Sequence, residues 1–195
     1  MTDQLVVVPP GGWTVDDLDT LPESHQRYEL TDGALTVSPS PSSLHQAVAA
    51  RLLVRLDNAA PEPLAVTQAV EIRFGRRLTR IPDVLVVRSE QPGRHWFAPS
   101  EVIVAVEIES PGSHLEDRDL KPALYARFGI PHYWRIELDP LLVTTYEIGH
   151  GDRYRVSKAG EHLKVTEPFE VDLPLADLLP RWAGRGEGPV VPEQG

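Results

Sequence analysis

Residues 102–106 read Val-Ile-Val-Ala-Val, and Glu107 and Glu109 follow on alternate positions. A continuous β-branched run of this kind is a strand covered on both faces. A second such run, Val-Leu-Val-Val at 84–87, begins directly after Pro82-Asp83. Two doubly covered strands require a layer on each side of the sheet that holds them. Each run also borders an acid: Asp83 opens one and Glu107 closes the other.

The flanking segments supply the layers. "SPSPSSLHQAVAARLLVRLDNA" reads as a loop and then a helix, capped by Ser42 or Ser43. Val48, Leu52 and Leu56, with Ala49 and Leu53, recur at helical spacing and give it one apolar face. Pro122 has no N–H and fits only the first turn of a helix, which places regular helix from about Asp119 with "HLED" as its approach. That helix runs through Ala123, Leu124, Arg127 and Phe128 to Gly129. "WTVDDLDTLP" predicts a short helix capped by Thr14, and "RYELTDGALTVSP" a β-hairpin turning at Asp32-Gly33. "LAVTQAVEIRF", "HYWRIEL" and "LLVTTYEI" read as further strands, "DRYRVSKAG" with "HLKVTEPFEVDL" as a late hairpin, and "LADLLPRW" as a short terminal helix. The order predicts an α/β (α+β) fold: a mixed central sheet flanked by a helix on each face. Residues 1–183 are expected to form a single domain and residues 184–195 a flexible tail.

Bulk properties bound the function. The 195 residues are 41% hydrophobic and 25% charged, which suits a globular protein. No apolar run approaches the roughly 20 residues that cross a membrane, so no membrane partner is expected. "LVVVPP" is too short for a signal-peptide core and lacks a basic leader, which leaves the cytoplasm as the default location. There is no cysteine, so thiolate metal sites and disulfides are excluded. A net charge of −10 argues against binding nucleic acid by bulk electrostatics, although it leaves room for a local basic groove.

Period-two geometry puts Glu107 and Glu109 on one face, where they repel unless a cation or base lies between them. The alternative ends the strand at Val106 and leaves both acids in water. Asp83 is poorly suited to a strand interior, and at a strand end it can simply bond the neighbouring turn. Lys121 reads either as a partner of these acids or as half of a surface ion pair with Asp117. Taken together, the acids suit Mg²⁺ or Mn²⁺, which use one or two carboxylates plus water and substrate phosphate. "RFGRRLTR" places Arg73, Arg76, Arg77 and Arg80 just before Asp83 with no acid among them. Arginine forks suit phosphate, so this is either a local nucleic-acid-binding patch or a solvated turn.

"IPDVLVV", "VAVEIESPGS" and "DRDLKPALYARFGIPHYWRIE", with the upstream "RYELTDGALTVSPSPSSLHQAVAARL", resemble the Uma-two family. These are bacterial proteins of restriction-endonuclease-like fold in the PD-(D/E)XK nuclease superfamily. The likeness runs from about Tyr28 to Leu138. It implies a Mg²⁺- or Mn²⁺-dependent endonuclease that hydrolyses DNA phosphodiesters with a water activated at the ion, and a homodimer. Residue by residue, it implies that Asp83 and Glu107 ligate the metal, with the Ile108 carbonyl and Glu29 as further ligands. The motif's lysine position is Glu109 here, an additional acid that would either hold a second ion or weaken phosphate binding, and Lys121 matches the family's relocated lysine, with Asp117 orienting it. His45 matches a family histidine near the metal or a phosphate, or else caps or packs its helix. Tyr125 and Trp134 read as core. Two rivals to catalysis remain: a catalytically weak or inactive dimeric module of the same fold that binds nucleic acid or protein, and a buried ionic cluster with a structural role.

Overall fold

A computed structural model describes residues 8–21, 26–88, 93–110, 116–149 and 151–183. The expected tail at 184–195 and the first two residues of the "HLED" approach lie outside them.

Helix α1 (Val15–Leu18) is one turn, fixed where the Asp17 carboxylate accepts from the Thr14 N–H and hydroxyl. Strands β1 (Arg27–Thr31) and β2 (Ala34–Ser38) form the predicted hairpin. Asp32 and Gly33 turn it with φ of 54° and 82°, the left-handed pair that a two-residue turn needs. Helix α2 (Ser43–Ala59) starts where the Ser42 hydroxyl accepts the His45 N–H, and it buries Val48, Ala49, Leu52 and Leu56.

The segment read as one strand from Leu64 is instead two. Ala69 takes a positive φ of 53° between β3 (Leu64–Gln68) and β4 (Glu71–Gly75) and sends them into different sheets. Then come β5 (Leu78–Arg80), β6 (Val84–Arg88), β7 (Trp96–Phe97) and β8 (Val102–Ile108). A π-helical turn over Glu116–Leu120 leads into α3 (Lys121–Arg127), so the regular helix begins two residues later than predicted. Pro122 occupies its first turn, and Gly129 takes a φ of 75° just past its end.

Strands β9 (His132–Leu138), β10 (Leu141–Ile148) and β11 (Tyr154–Gly160) complete a six-stranded sheet of order β11-β10-β9-β8-β6-β3. The β8–β9 pair is parallel and the other pairs are antiparallel, so the sheet is mixed. The predicted late hairpin is re-paired. β11 joins β10, while β12 (His162–Val165) pairs with β13 (Val171–Pro174). A 3₁₀ turn at Leu175–Leu178 stands where the terminal helix was expected.

The core has two halves. Val84, Val86, Val104, Val106, Ile108, Trp134 and Ile136 face α2 and the β12–β13 hairpin. Leu85, Val87, Ala105 and Tyr133 face α3, with Tyr125 and Ile130. A helix thus covers each face, as the apolar runs require. No helix among the described residues is long and apolar enough to cross a membrane.

Candidate active site

The α3-facing side of the sheet changes character along its strands. It is apolar through Ala105 and Tyr133, then becomes Glu107 on β8 and Glu109 just past its end, beside Arg135 and Glu137 on β9. Because β6 runs antiparallel to β8, its start meets the end of β8: Val84 pairs with Val106, and the Asp83 N–H donates to the Val106 carbonyl. Asp83 and Glu107 are thereby neighbours at one end of the sheet, each 3% exposed.

Asp83 is fully engaged. Its Oδ1 accepts from Arg27 at 2.7 Å, and its Oδ2 accepts the Ile108 N–H at 2.8 Å. The His45 Nε2 stands 3.1 Å from Oδ2 and 3.0 Å from the Ile108 carbonyl oxygen. Burial alone would raise this carboxyl, but His45, Arg27 and the Ile108 N–H outweigh it and hold the acid below its ordinary range.

Glu107 has the opposite balance. Its Oε1 accepts from the Tyr125 hydroxyl at 2.7 Å, and its Oε2 lies 2.9 Å from the Lys121 ammonium. Burial pushes its carboxyl up to about 8; Lys121 opposes the shift, and the charges on Asp83 and Asp117 add to it. Lys121 is also 2.7 Å from Asp117, four residues earlier across the π-helical turn. Burial would lower this lysine, but Glu107, Asp117 and Glu29 hold it well above the ordinary lysine range. Glu29 is buried, and its Oε1 accepts the Ile81 N–H at 2.6 Å.

Asp83, Glu107, Ile108, Lys121, Asp117 and His45 therefore lie together, and Glu29 is close enough to act on Lys121. Among the described residues, Glu107 and Glu109 meet different cations, Glu107 the ammonium of Lys121 and Glu109 the guanidinium of Arg118. Arg118 forks onto both oxygens of Glu109, Nε to Oε1 at 2.6 Å and Nη2 to Oε2 at 3.0 Å.

The arginines disperse. Arg80 is buried and donates to the Leu30 and Thr79 carbonyls and the Thr31 hydroxyl, so it is not presented to a phosphate at the surface. Arg73 bonds Glu71 and Asp19, Arg76 bonds Asp16, and Arg77 donates to the Asp32 carbonyl. The acids missing from "RFGRRLTR" come from the α1 region.

Two residues of the site escaped the sequence reading. Arg27 gave no signal, being 56 residues from Asp83. Tyr125 is fully buried, as expected, but it also holds Glu107; its place four residues after Lys121 on one helix face was the available clue.

The donors present fit a hard divalent cation in kind. Asp83, Glu107 and the Ile108 carbonyl offer oxygen only, and two carboxylates with water suffice for Mg²⁺. The charge also fits, because Asp83, Glu107, Asp117 and Glu29 act on one another or on Lys121 with Arg27 as the further cation. Among the described residues, no group of three or more Asp, Glu, His or Cys side chains is arranged to hold a metal ion by itself.

A family model, Uma2, described as "Putative restriction endonuclease", matches residues 15–177. No curated protein matches the chain. A similar solved structure is a crystal structure from Anabaena variabilis ATCC 29413, described as "a putative nuclease belonging to DUF820". The two share 21% identity with a TM-score of 0.66, over 85% of this chain and 96% of that one. At that identity the likeness is one of fold.

Proposed function

The chain belongs to the Uma2 family, and from that membership we propose that it is a divalent-metal-dependent endonuclease hydrolysing DNA phosphodiester bonds. The observation that best supports this reading is the juxtaposition of buried Asp83 and Glu107 with an ammonium 2.9 Å from Glu107. In a purely structural cluster, burial of so many charges is costly. Here burial, with Asp83 and Asp117 beside it, disfavours the charged form of Glu107 against the pull of Lys121, and a bound cation would favour that form.

Asp83, Glu107 and the Ile108 carbonyl would hold Mg²⁺ or Mn²⁺, with Glu29 beside them. When bound, the ion supplies a more acidic water and neutralises charge on a phosphate. The chain's own residues do the rest. Arg27 and His45 orient the Asp83 carboxylate through Oδ1 and Oδ2. Tyr125 fixes the Glu107 Oε1. Lys121, kept charged between Glu107 and Asp117, offsets negative charge developing on the phosphoryl oxygens or orients the attacking water.

Arg76, exposed at the hairpin tip, and Arg77 remain the proposed phosphate contacts. A homodimer belongs to this reading, since two copies would present two sites to two strands. Residues 1–183 are taken as its single domain.

One observation favours the binding-module alternative: each oxygen of Asp83 and Glu107 already has a protein partner. Titration of Mn²⁺ by calorimetry separates the two. Saturable heat that disappears in Asp83→Asn and Glu107→Gln supports the nuclease reading. The absence of heat from the wild-type protein removes it.

A further inference from the structure

We propose that Glu109, Arg118 and Glu137 form an ionic clamp that positions Lys121, which makes Glu109 a positioning residue rather than a second metal ligand. The inference rests on the nuclease reading above and assigns a role to the acid that stands where the motif's lysine is missing.

Lys121 meets both of its carboxylates only if the turn before it is held in place. That turn, Glu116–Leu120, is π-helical. Such turns are rare and are found frequently at functional sites. Among the described residues, two contacts tie this one to the sheet. The Tyr133 hydroxyl donates to the Asp117 carbonyl at 2.7 Å. Arg118, between Asp117 and Lys121 in the chain, reaches across to the sheet.

The reach is bidentate and then shared. Arg118 takes both oxygens of Glu109, and its Nη2 also donates to the Glu137 Oε2 at 2.7 Å. Glu109 is buried at the end of β8, its N–H bonded to the Ile136 carbonyl at 2.8 Å, so its carboxylate needs a countercharge at that place. The other oxygen of Glu137 accepts from Arg135 at 2.9 Å, and Arg135 donates to the Tyr146 hydroxyl at 3.0 Å. The ladder therefore ties the turn to β8, β9 and β10. A forked guanidinium resists rotation as a single ammonium does not. With both of its oxygens on Arg118, Glu109 faces the turn rather than the pair Asp83 and Glu107.

The test uses Glu109→Gln, Arg118→Ala, the double variant and Arg118→Lys in the full chain. Each is measured by plasmid cleavage in Mn²⁺, Mn²⁺ calorimetry, and deuterium uptake by the peptide spanning 116–127. The clamp predicts that each of Glu109→Gln and Arg118→Ala lowers kcat about 10–100-fold, the range for partners that orient a site residue. KM and Mn²⁺ affinity stay within about twofold, the double variant is no worse than Arg118→Ala, and Arg118→Lys recovers part of the loss. Uptake rises over 116–121 and not over β9 or β10.

A tenfold or greater loss of Mn²⁺ affinity in Glu109→Gln would overturn the proposal by making Glu109 a ligand. Additive losses, unchanged uptake at 116–121, or a rise spread across the sheet would overturn it as well. If the wild-type protein does not cleave, the nuclease reading falls while the uptake measurements still decide the clamp.

Discussion

Glu107 shows what burial does to a single carboxyl. Desolvation favours its neutral form, Lys121 opposes, the charges on Asp83 and Asp117 add to the effect of burial, and the balance pushes the carboxyl up to about 8. Its folded-state pKa lies above the ordinary 4.5. In metal-free protein, the stability contributed by the neutral acid is therefore complete below 4.5 and is lost as the pH rises through about 8. Metal binding runs the other way, because a ligand must first lose its proton. Mn²⁺ affinity should rise by up to about tenfold per pH unit below pH 8 and level off above it. Calorimetry of the wild-type protein across that range checks this, and an affinity that does not change with pH would contradict it. Tyr125→Phe removes a donor to the ionised carboxylate and should move the same transition to higher pH. Asp83, Glu107 and Lys121 were marked in the sequence as a set, by their likeness to the family's motif; singly, an acid at a strand end and a lysine beside acids left the structural readings open. Arg27 was not, because its contact with Asp83 is made only by folding.

At the scale of elements, the apolar runs carried most of the information. Val84–Val87 and Val102–Val106 predicted strands covered on both faces, and α2 and α3 lie on those faces. Pro122 marked the first turn of α3, but no residue signalled the π-helical turn before it, since its contacts reach to β8 and β9. The split between β3 and β4 at Ala69 was hidden for a related reason. Alanine does not favour positive φ, and nothing local announces it. β11 and β12 read as a pair because they adjoin, whereas β10 offered β11 a longer partner. The core under α2 is tightly filled, with Leu52 and Leu56 at 0% exposure. Leu52→Ala should cost about 2–5 kcal/mol, read by chemical denaturation, with Mn²⁺ affinity unchanged because the cavity opens on the face away from Lys121.

Over the whole molecule, a net charge of −10 must be reconciled with the polyanionic substrate proposed for it. The basic tip looked concentrated in sequence, but folding sets Asp16 and Asp19 against Arg76 and Arg73 and draws Arg80 inside. This tip therefore adds little net positive charge to the proposed DNA interface. Replacing Arg76 and Arg77 together by Ala should reduce the slope of log K against log salt by at most about 2. Binding isotherms at several salt concentrations check this, and an unchanged slope would take both residues out of the interface. The most direct measurement is cleavage of a supercoiled plasmid in Mg²⁺ or Mn²⁺ by wild type, Asp83→Ala, Glu107→Ala and Lys121→Ala, each confirmed folded by circular dichroism. The prediction is metal-dependent cleavage by wild type and a loss of at least about 10²-fold in each variant. Activity that survives all three substitutions would contradict it.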